Sequence, residues 1–336
     1  MSPDTIVGSA GRERPSAPRV TVVLPTHNRP QLLAEALDSL ERQTYADWEV
    51  VVVDDASSPP VDFKWLAGQH TKLRVVSHAG PRGGAAGKNS GIALGRGQLF
   101  AFLDDDDLYD ARYLERAVGC LDGHPEIEVL FMGVGWFGNA AQHGERTHGA
   151  SMARTLAEAN PIELEPGLLL FGEQLLSALL RRVPMPFQRP VVRRSALDRI
   201  GHYRPDCLLW DCEWALRASA VSQCALLDEP LYRQRVDGQG TSSRGDRKRD
   251  HLESALEMTL RLYRKPPFPV SSTTRALLRK AASRNAAALA HYLSRSGDLA
   301  GCLRAWWTSE KLQPSASRLK LPLAAGARAM GLMRDA

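Results

Sequence analysis

The stretch GQLFAFLDDDDLY, residues Gly97–Tyr109, joins a short apolar run to four consecutive carboxylates. Residues 98–103 are almost wholly apolar, which is typical of a strand covered on both faces in a mostly parallel sheet. Asp104–Asp107 then fall at the carboxyl end of that strand, the edge at which open α/β sheets bind ligands. Carboxylates this close repel one another unless a cation, a proton or water separates their charges. The stretch therefore predicts a site for Mg²⁺ or Mn²⁺.

The same run of carboxylates has a second interpretation. Runs of Asp also occur in solvated loops and at helix starts. Asp110 stands just before an apolar pattern with helical spacing, so it is suited to be the N-cap of a helix. The run alone leaves metal binding and helix capping open, and the choice depends on the rest of the chain.

The composition of the 336 residues is that of a soluble globular protein with ample core. No apolar run approaches the roughly 18–20 residues that a membrane span needs, and the polar N-terminal segment lacks the apolar region of a signal peptide. We therefore expect a cytoplasmic protein. The five cysteines are odd in number and form no CxxC pair, which argues against a disulfide framework and against a zinc site.

The net charge of +5 is unevenly distributed. Residues 251–336 carry fourteen Lys and Arg against five Asp and Glu, a net charge of +9, which leaves −4 for residues 1–250. A basic C-terminal part suits an anionic partner such as a membrane surface or a nucleic acid. Solvated faces of amphipathic helices explain the same charge, and both interpretations stay open.

The N-terminal third alternates strand and helix patterns. Buried strands are predicted at residues 19–25, 48–53 and 73–77, with a helix from Pro30 to about residue 43 and another through Leu94. These spacings indicate a doubly wound, mostly parallel α/β sheet. The second strand ends in Asp54 and Asp55. Because parallel strands share their carboxyl edge, this pair and Asp104–Asp107 should lie close together.

The glycine-rich segment PRGGAAGKNSG is not a standard phosphate motif. Arg82 and Asn89 occupy positions where a Walker motif needs Gly and Ser or Thr, and no GxGxxG follows the first strand. Gly83, Gly84 and Gly87 are also compatible with a flexible turn. Arg82 and Lys88 nevertheless place positive charge beside backbone donors near a helix start, which favours binding of a diphosphate.

Four motifs in order resemble the family 2 glycosyltransferases, nucleotide-sugar enzymes with the GT-A fold. The resemblance covers roughly residues 20–240. The matching residues are the PTxNR set Pro25, Thr26, Asn28 and Arg29; the pair Asp54 and Asp55; the set Lys88, Asn89 and Gly91; and the metal motif Phe102, Leu103, Asp104, Asp106 and Asp107.

The resemblance implies roles for these residues. Asp106 would bind Mg²⁺ or Mn²⁺, and Asp104 would contact the ribose or a metal-bound water, so we assign Asp104 and Asp106 to the metal site. A divalent ion would stabilise the diphosphate leaving group. The predicted donor-binding set is Pro25, Thr26, Asn28, Arg29, Asp54, Asp55, Gly84, Lys88, Asn89, Asp104 and Asp105.

A second block of the chain matches the family's acceptor half. Its matching residues include Val191–Arg194, Gly201, Tyr203, Asp211, Glu213 and Arg217. Asp211 is the predicted catalytic base, because an acceptor hydroxyl needs a positioned carboxylate to take its proton. Asp211 and Glu213 also suit the first turn of a helix without any catalytic role. Trp210 stands where the family has Glu. Its ring suits stacking on a sugar ring and also suits filling the core, so both interpretations stay open.

Further departures and segments complete the prediction. Asp237 stands where the family often has His, and Arg235 is a candidate for contact with the diphosphate. Residues 139–166 are expected to form an irregular acceptor-facing loop, and residues 168–180 a helix.

The predicted organisation has four parts: a disordered polar tail (1–18), a nucleotide-sugar half (19–122), an acceptor half (123–243) and a basic helical extension (244–336). The extension is expected to contain a charged linker at 244–250 and helices at 252–262, 274–293 and 299–307.

We therefore expect a metal-dependent, inverting glycosyltransferase that moves a sugar from a nucleotide-diphosphate sugar, with UDP favoured by the resemblance, to a saccharide or lipid-linked saccharide in surface polysaccharide synthesis. A nucleotidyltransferase, or an inactive basic binding module, is the alternative. No nucleic-acid partner is expected, and the oligomeric state is not fixed. Residues 251–336 have two interpretations. Trp306 and Trp307 lie among basic residues, which suits peripheral contact with the inner face of the cell membrane; the same helices also suit a lid packed on the catalytic domain.

Overall fold

The computed structural model describes residues 5–9, 17–62, 64, 66, 68, 70, 72–237 and 247–329. The chain divides into two units. The first comprises residues 1–206 and 210–243, and the second comprises residues 207–209 and 244–336. Among the described residues, no helix combines the length and apolar character that a membrane crossing requires.

The described part of the first unit contains eleven strands in one mixed sheet. They are β1 (Thr5–Ser9), β2 (Val20–Thr26), β3 (Trp48–Asp54), β4 (Leu73–Ser77), β5 (Leu99–Phe102), β6 (Leu108–Tyr109), β7 (Val129–Phe137), β8 (Ile162–Glu165), β9 (Leu168–Leu170), β10 (Pro190–Arg193) and β11 (Cys224–Arg235). The order across the sheet is β1-β4-β3-β2-β5-β10-β7-β11-β9-β8, and β6 pairs with β11.

Helices of the described residues accompany these strands. They are α1 (Pro30–Glu41), α2 (Gly84–Leu94), α3 (Tyr113–Gly123), α4 (Ala141–Ala159), α5 (Gln174–Leu179), α6 (Arg194–Ile200) and α7 (Trp210–Val221), with a 3₁₀ turn at Met185–Gln188. Strands β4, β3, β2 and β5 are mutually parallel, as the sequence predicted. Their residues are almost all buried, because helices cover both faces.

Strand alternation decides which helix covers which face. Val20, Val22 and Leu24 join the main core together with the apolar side of α1, while Val51 and Val53 face the other way, towards Leu94 of α2. This period of two is the ordinary consequence of side chains pointing to alternate faces of a strand.

Gly87, Gly91 and Gly95 form a stripe on one side of α2 and the residue that follows it. A Cβ added at Gly91 would lie 2.2 Å from Val23 Cγ1, one at Gly87 would lie 2.9 Å from Pro25 Cβ, and one at Gly95, just after the helix, 2.7 Å from Thr21 Cγ2. The spacing of four residues places all three on one side of the helix. These glycines therefore bring α2 against β2, so the flexible-turn interpretation is wrong for Gly84 and Gly87, which lie within α2.

Two local predictions in the middle of the chain were wrong. The loop expected at residues 139–166 contains the 19-residue helix α4, which packs on β7: His148 stacks on Trp136 with ring centroids 4.4 Å apart. The helix expected at residues 168–180 is instead strand β9, paired with β11, followed by the short α5. In both places tertiary contacts outweigh local pattern.

The N-terminal tail also differs from the prediction. Thr5–Ser9 form a strand that pairs antiparallel with β4, so the disordered tail predicted for residues 1–18 is wrong for this segment. Residues 1–4 and 10–16 lie outside the described residues. Asp110 does not cap α3 directly: its carboxylate accepts the N–H of Arg112, and the helix begins at Tyr113.

The second unit contains four helices among its described residues. They are α8 (Lys248–Arg264), α9 (Ser272–Arg295), α10 (Leu299–Leu312) and α11 (Lys320–Ala329). Ser271 and Asp298 cap α9 and α10 by accepting N–H groups three residues ahead, at 3.0 and 2.8 Å. The linker predicted at 244–250 is wrong for Lys248–Asp250, which begin α8, and its residues 244–246 lie outside the described residues.

Candidate active site

Thr26, the last residue of β2, joins the two groups of carboxylates. Its hydroxyl donates to Asp105 Oδ2 at 2.8 Å, and its carbonyl accepts the N–H of Asp55 at 2.9 Å. Since β3 and β5 flank β2 in parallel, the acidic ends of both strands meet at one edge of the sheet. The convergence predicted from the sequence is present.

Asp104 is held by two cations. Lys88 Nζ lies 3.0 Å from its Oδ1, and Arg189 Nη2 lies 3.4 Å from its Oδ2. Burial alone would raise the pKa of Asp104, but the charges of Lys88 and Arg189 outweigh it and lower the pKa to about 2. Asp104 is therefore ionised near neutral pH.

Arg29 connects the next two carboxylates. Its Nη1 lies 2.9 Å from Asp105 Oδ1 and 3.0 Å from Asp106 Oδ2. Burial raises the pKa of Asp105 to about 6, although Thr26 and Arg29 oppose the shift. Burial, and after it the charge of Asp104, also raises the pKa of Asp106. A cation beside Asp106 would therefore stabilise its ionised form.

Asp107 faces inwards and ties β11 to the site. It accepts the hydroxyl of Tyr232 at 2.8 Å and the backbone N–H of Arg235 at 2.9 Å. Burial raises the pKa of Asp107 to about 7, with Arg189 acting against burial and Asp106 adding to it. Arg235 also donates from Nε to the carbonyl of Asp106 at 2.9 Å. Arg235 therefore fixes the backbone of the acidic run, a contact the sequence did not predict.

A second cluster forms around Asp55. Its carboxylate accepts the N–H groups of Arg82 and Gly83 at 2.8 and 2.7 Å, and it lies 2.6 Å from His78 Nδ1. Burial would raise the pKa of Asp55, but these hydrogen bonds lower it. Asp55 thus fastens the start of the glycine-rich segment to the end of β3.

Three other residues of the predicted donor set use their polar atoms within the chain. Asp54 is 1% exposed and accepts the N–H of Ser57 at 2.9 Å. Asn28 accepts the N–H of Ser58 at 2.7 Å from a positive φ of 54°. Asn89 exchanges two 2.8 Å hydrogen bonds with the backbone of Tyr203. These contacts stabilise the loops around the site.

Trp210 and Asp211 are the first two residues of α7. Lys88 Nζ lies 4.6 Å from the centre of the Trp210 ring, and a Cβ on Gly84 would lie 3.3 Å from that ring. Trp210 is neither fully buried nor fully exposed. Burial would lower the pKa of Arg189, but the charges of its neighbours raise it. These neighbours are Tyr232, Asp104, Asp107 and Asp211, so the charge of Asp211 acts on Arg189. Asp211 therefore belongs to the electrostatic neighbourhood of the acidic run.

Sequence reasoning missed Arg189 and Tyr232. Arg189 is 4% exposed, pairs with Asp104 and Asp107, and lies 4.6 Å from the Tyr232 ring. Arg189 stands in no recognisable motif, whereas Tyr232 lies in the segment 231–243 that resembles the family's closing strand. Only the placement of β10 and β11 in the same sheet brings both residues to the acidic run.

The residues fit a divalent ion supported by two carboxylates. Asp104 and Asp106 are partly accessible, with side chains 29% and 20% exposed. Burial and mutual repulsion raise the pKa of Asp106, which a cation would offset. Within the described residues, no group of three or more His, Cys, Asp and Glu could hold a metal. An ion here would complete its shell with water and substrate phosphates, as Mg²⁺ and Mn²⁺ commonly do.

The fold is similar to that of solved structures of the GT-A type. Residues 21–164 match the model of glycosyl transferase family 2. Among curated proteins, the chain is similar to the UDP-Glc:alpha-D-GlcNAc-diphosphoundecaprenol beta-1,3-glucosyltransferase WfgD of Escherichia coli, with 30% identity over 102 residues, which are 30% of this chain and 40% of that protein. The chain spans less than half the length of the curated relatives it matches.

Solved structures support the fold across most of the chain. TarS of S. aureus, residues 1–349, superposes with a TM-score of 0.63 at 16% identity, covering 94% of this chain and 88% of that one. TarS has also been solved with UDP and with UDP-GlcNAc. A mannosyltransferase from Pyrobaculum calidifontis, PcManGT, solved with GDP-Man and Mn²⁺, matches with a TM-score of 0.53 at 21% identity, covering 98% and 90%.

Proposed function

We propose that this chain transfers a sugar from a nucleotide-diphosphate sugar to an acceptor hydroxyl, in the assembly of a surface polysaccharide or glycoconjugate. The observation that carries the proposal is the meeting of Asp55 and Asp104–Asp107 around Thr26, beside Arg29 and Lys88. This edge offers cations for a diphosphate and carboxylates for a metal and a ribose. The family match over residues 21–164 supports it.

Asp104 and Asp106 are the residues that would hold Mg²⁺ or Mn²⁺. When bound, the ion would supply Lewis-acid stabilisation of the diphosphate leaving group. The Mn²⁺ in the PcManGT structure supports use of a divalent ion. UDP is the favoured nucleotide, because TarS has been solved with UDP and WfgD is named for UDP-Glc. Those names concern the relatives, and the donor of this chain is part of the proposal.

Asp211 is the proposed general base. It would accept the proton of the acceptor hydroxyl while the acceptor oxygen forms a bond to the anomeric carbon and the bond from that carbon to the diphosphate oxygen breaks. A single displacement of this kind inverts the anomeric configuration. Arg29 would hold the donor, and the buried Lys88 would act through Asp104, with which it is paired. Arg189 supports the proposal for Asp211, because the charges of both Asp211 and Asp104 act on it.

Thermal stabilisation by nucleotide-sugars tests the proposal. UDP-glucose, UDP-N-acetylglucosamine and GDP-mannose are compared with and without Mn²⁺, because a ligand that binds only the folded state raises its melting temperature. We expect at least one donor to stabilise the chain when Mn²⁺ is present, to lose the effect when EDTA is added, and to release nucleoside diphosphate slowly. Stabilisation by a nucleoside triphosphate together with a sugar phosphate would instead favour a nucleotidyltransferase.

A further inference from the structure

Most large apolar side chains that are exposed in the described residues lie in the second unit. Four of five are there: Leu208, Leu303, Trp307 and Leu319, with Ile162 as the exception in the first unit. Leu303 and Trp307 are four residues apart on α10, so they share one face. Trp307 is 54% exposed and Leu303 is 40% exposed. The opposite face of α10, with Cys302 and Ala305, is buried in the core of this unit.

The exposed face of α10 is also basic. Arg304 and Lys311 are exposed beside Leu303 and Trp307, and Lys311 Nζ lies 5.3 Å from the centre of the Trp307 ring. We call these four residues the outer stripe. The acidic residue of α10, Glu310, is directed elsewhere: it accepts the N–H of Ser315 at 2.8 Å and lies 3.7 Å from Arg318. The outer stripe therefore has two positive charges and a large apolar surface.

The segment after α10 has the same composition. Arg318 donates to Ser309 Oγ at 2.6 Å and to the carbonyl of Gln313 at 3.0 Å, which holds the 3₁₀ turn Ala316–Leu319 against the end of the helix. Leu319, 53% exposed, and the exposed Lys320 follow directly. An apolar residue and a cation are thus repeated at this end of the unit.

We propose that the outer stripe binds the surface of an anionic lipid bilayer. Trp prefers the interface between headgroups and acyl chains, and Lys and Arg are attracted to anionic headgroups. Because the described residues contain no helix able to cross a membrane, this contact would be peripheral, with α10 lying along the surface. The proposal does not depend on the proposed reaction.

Charge favours a bilayer over other occupants. A second copy of the chain on a two-fold axis would oppose the outer stripe to itself, bringing Arg304 and Lys311 against like charges. A nucleic acid would satisfy the two cations but would leave Leu303 in contact with a polar backbone. An anionic bilayer accommodates the cations and the apolar side chains together.

Sedimentation of the full chain with vesicles tests this proposal. Vesicles of phosphatidylcholine alone are compared with vesicles of equimolar phosphatidylcholine and phosphatidylglycerol. We expect binding to the anionic vesicles only, and weaker binding as salt is added. Trp307→Gln, and separately the double variant Arg304→Gln/Lys311→Gln, should each weaken binding about tenfold or more.

Matched controls separate the outer stripe from general properties of the chain. Ile162→Gln removes another exposed apolar side chain, 66% exposed, and Arg279→Gln/Lys280→Gln removes two exposed cations of α9. Both should bind as the parent chain does, with all variants matched for melting temperature. Unchanged binding by Trp307→Gln, or an equal loss in the α9 variant, would overturn the proposal. So would a concentration-dependent dimer abolished by Trp307→Gln, or preference for single-stranded DNA over anionic vesicles.

Discussion

Lys88 and Asp104 form an ion pair at the carboxyl edge of the sheet, with Nζ and Oδ1 3.0 Å apart. Lys88 is 1% exposed, and the rings of Phe102, Tyr203 and Trp210 lie within 6 Å of its ammonium. A buried ammonium is stable only when its charge is paired. The pair therefore couples α2, which bears Lys88, to the acidic run after β5.

Lys88→Met should lower the free energy of unfolding by about 2 kcal/mol. The substitution keeps the apolar stem but leaves Asp104 with one of its two cations, and removing one partner of a buried pair is costly. Urea denaturation measures the change. Lys64→Met, at an exposed position of the same unit, is the control and should stay within about 0.5 kcal/mol of the parent. Equal stability of the two variants would show that the pair contributes nothing to the fold.

Asp106→Asn should remove the Mn²⁺-dependent part of donor binding. Asp106 retains its neighbour Arg29 at 3.0 Å, so the change removes a charge while keeping the shape of the site. Isothermal calorimetry with the donor, with and without Mn²⁺, gives the comparison. Asp38→Asn, on the exposed side of α1, should bind normally. Unaltered affinity in Asp106→Asn would exclude this residue from the metal site.

Asp211 and Glu213 should respond differently to loss of charge. Glu213 is 2% exposed, and both of its carboxylate oxygens lie 3.0 Å from Arg217 Nε. Glu213→Gln should therefore lower the free energy of unfolding by about 3 kcal/mol. Asp211→Asn should instead reduce turnover about 10²-fold or more, with donor affinity and stability nearly unchanged. Full turnover in Asp211→Asn would eliminate it as the base.

Asp55 should stabilise the fold in a pH-dependent way. The pKa of Asp55 is lower when the chain is folded, so its contribution is present above the unfolded pKa of about 4 and disappears as pH falls through the folded value. Asp55→Asn should be less stable than the parent at neutral pH, and the difference should shrink below about pH 4. Urea midpoints measured across this range provide the test. A constant difference at all pH values would mean that its charge is not involved.

The sequence predicted the part of the fold that local pattern controls. Buried strands at β2, β3 and β5 have continuous apolar runs, and because parallel strands share an edge, the meeting of Asp55 with the acidic run could be inferred. Arg189 and α4 could not be inferred in this way. Arg189 reaches the acidic run only through β10 in the assembled sheet, and the contact of α4 with Trp136 of β7 is likewise a tertiary one.

The glycine-rich segment shows the same limit. Gly83, Gly84 and Gly87 suggested a loop, because glycine is permissive in turns. Gly87 and its neighbour Gly91 show why α2 tolerates glycine: the helix approaches β2 so closely that side chains are excluded at the contact. Gly83, which precedes the helix at a φ of 85°, does lie in a turn conformation. Only the separation between helix and strand, which sequence does not give, distinguishes a packing glycine from a turn glycine.

Alanine at Gly91 and at Gly119 should therefore have opposite effects on stability. A Cβ at Gly91 would lie 2.2 Å from Val23 Cγ1, and Val23 is fully buried in β2, so α2 would have to move away from the sheet. We expect a loss of about 3 kcal/mol. Gly119 lies within α3 with nothing near its added Cβ, so Gly119→Ala should stabilise by about 0.5–1 kcal/mol through helix propensity. Urea denaturation of the two variants measures the sign and size of each change in the free energy of unfolding. A neutral Gly91→Ala would mean that α2 does not press on β2, and that its glycines serve the donor loop instead.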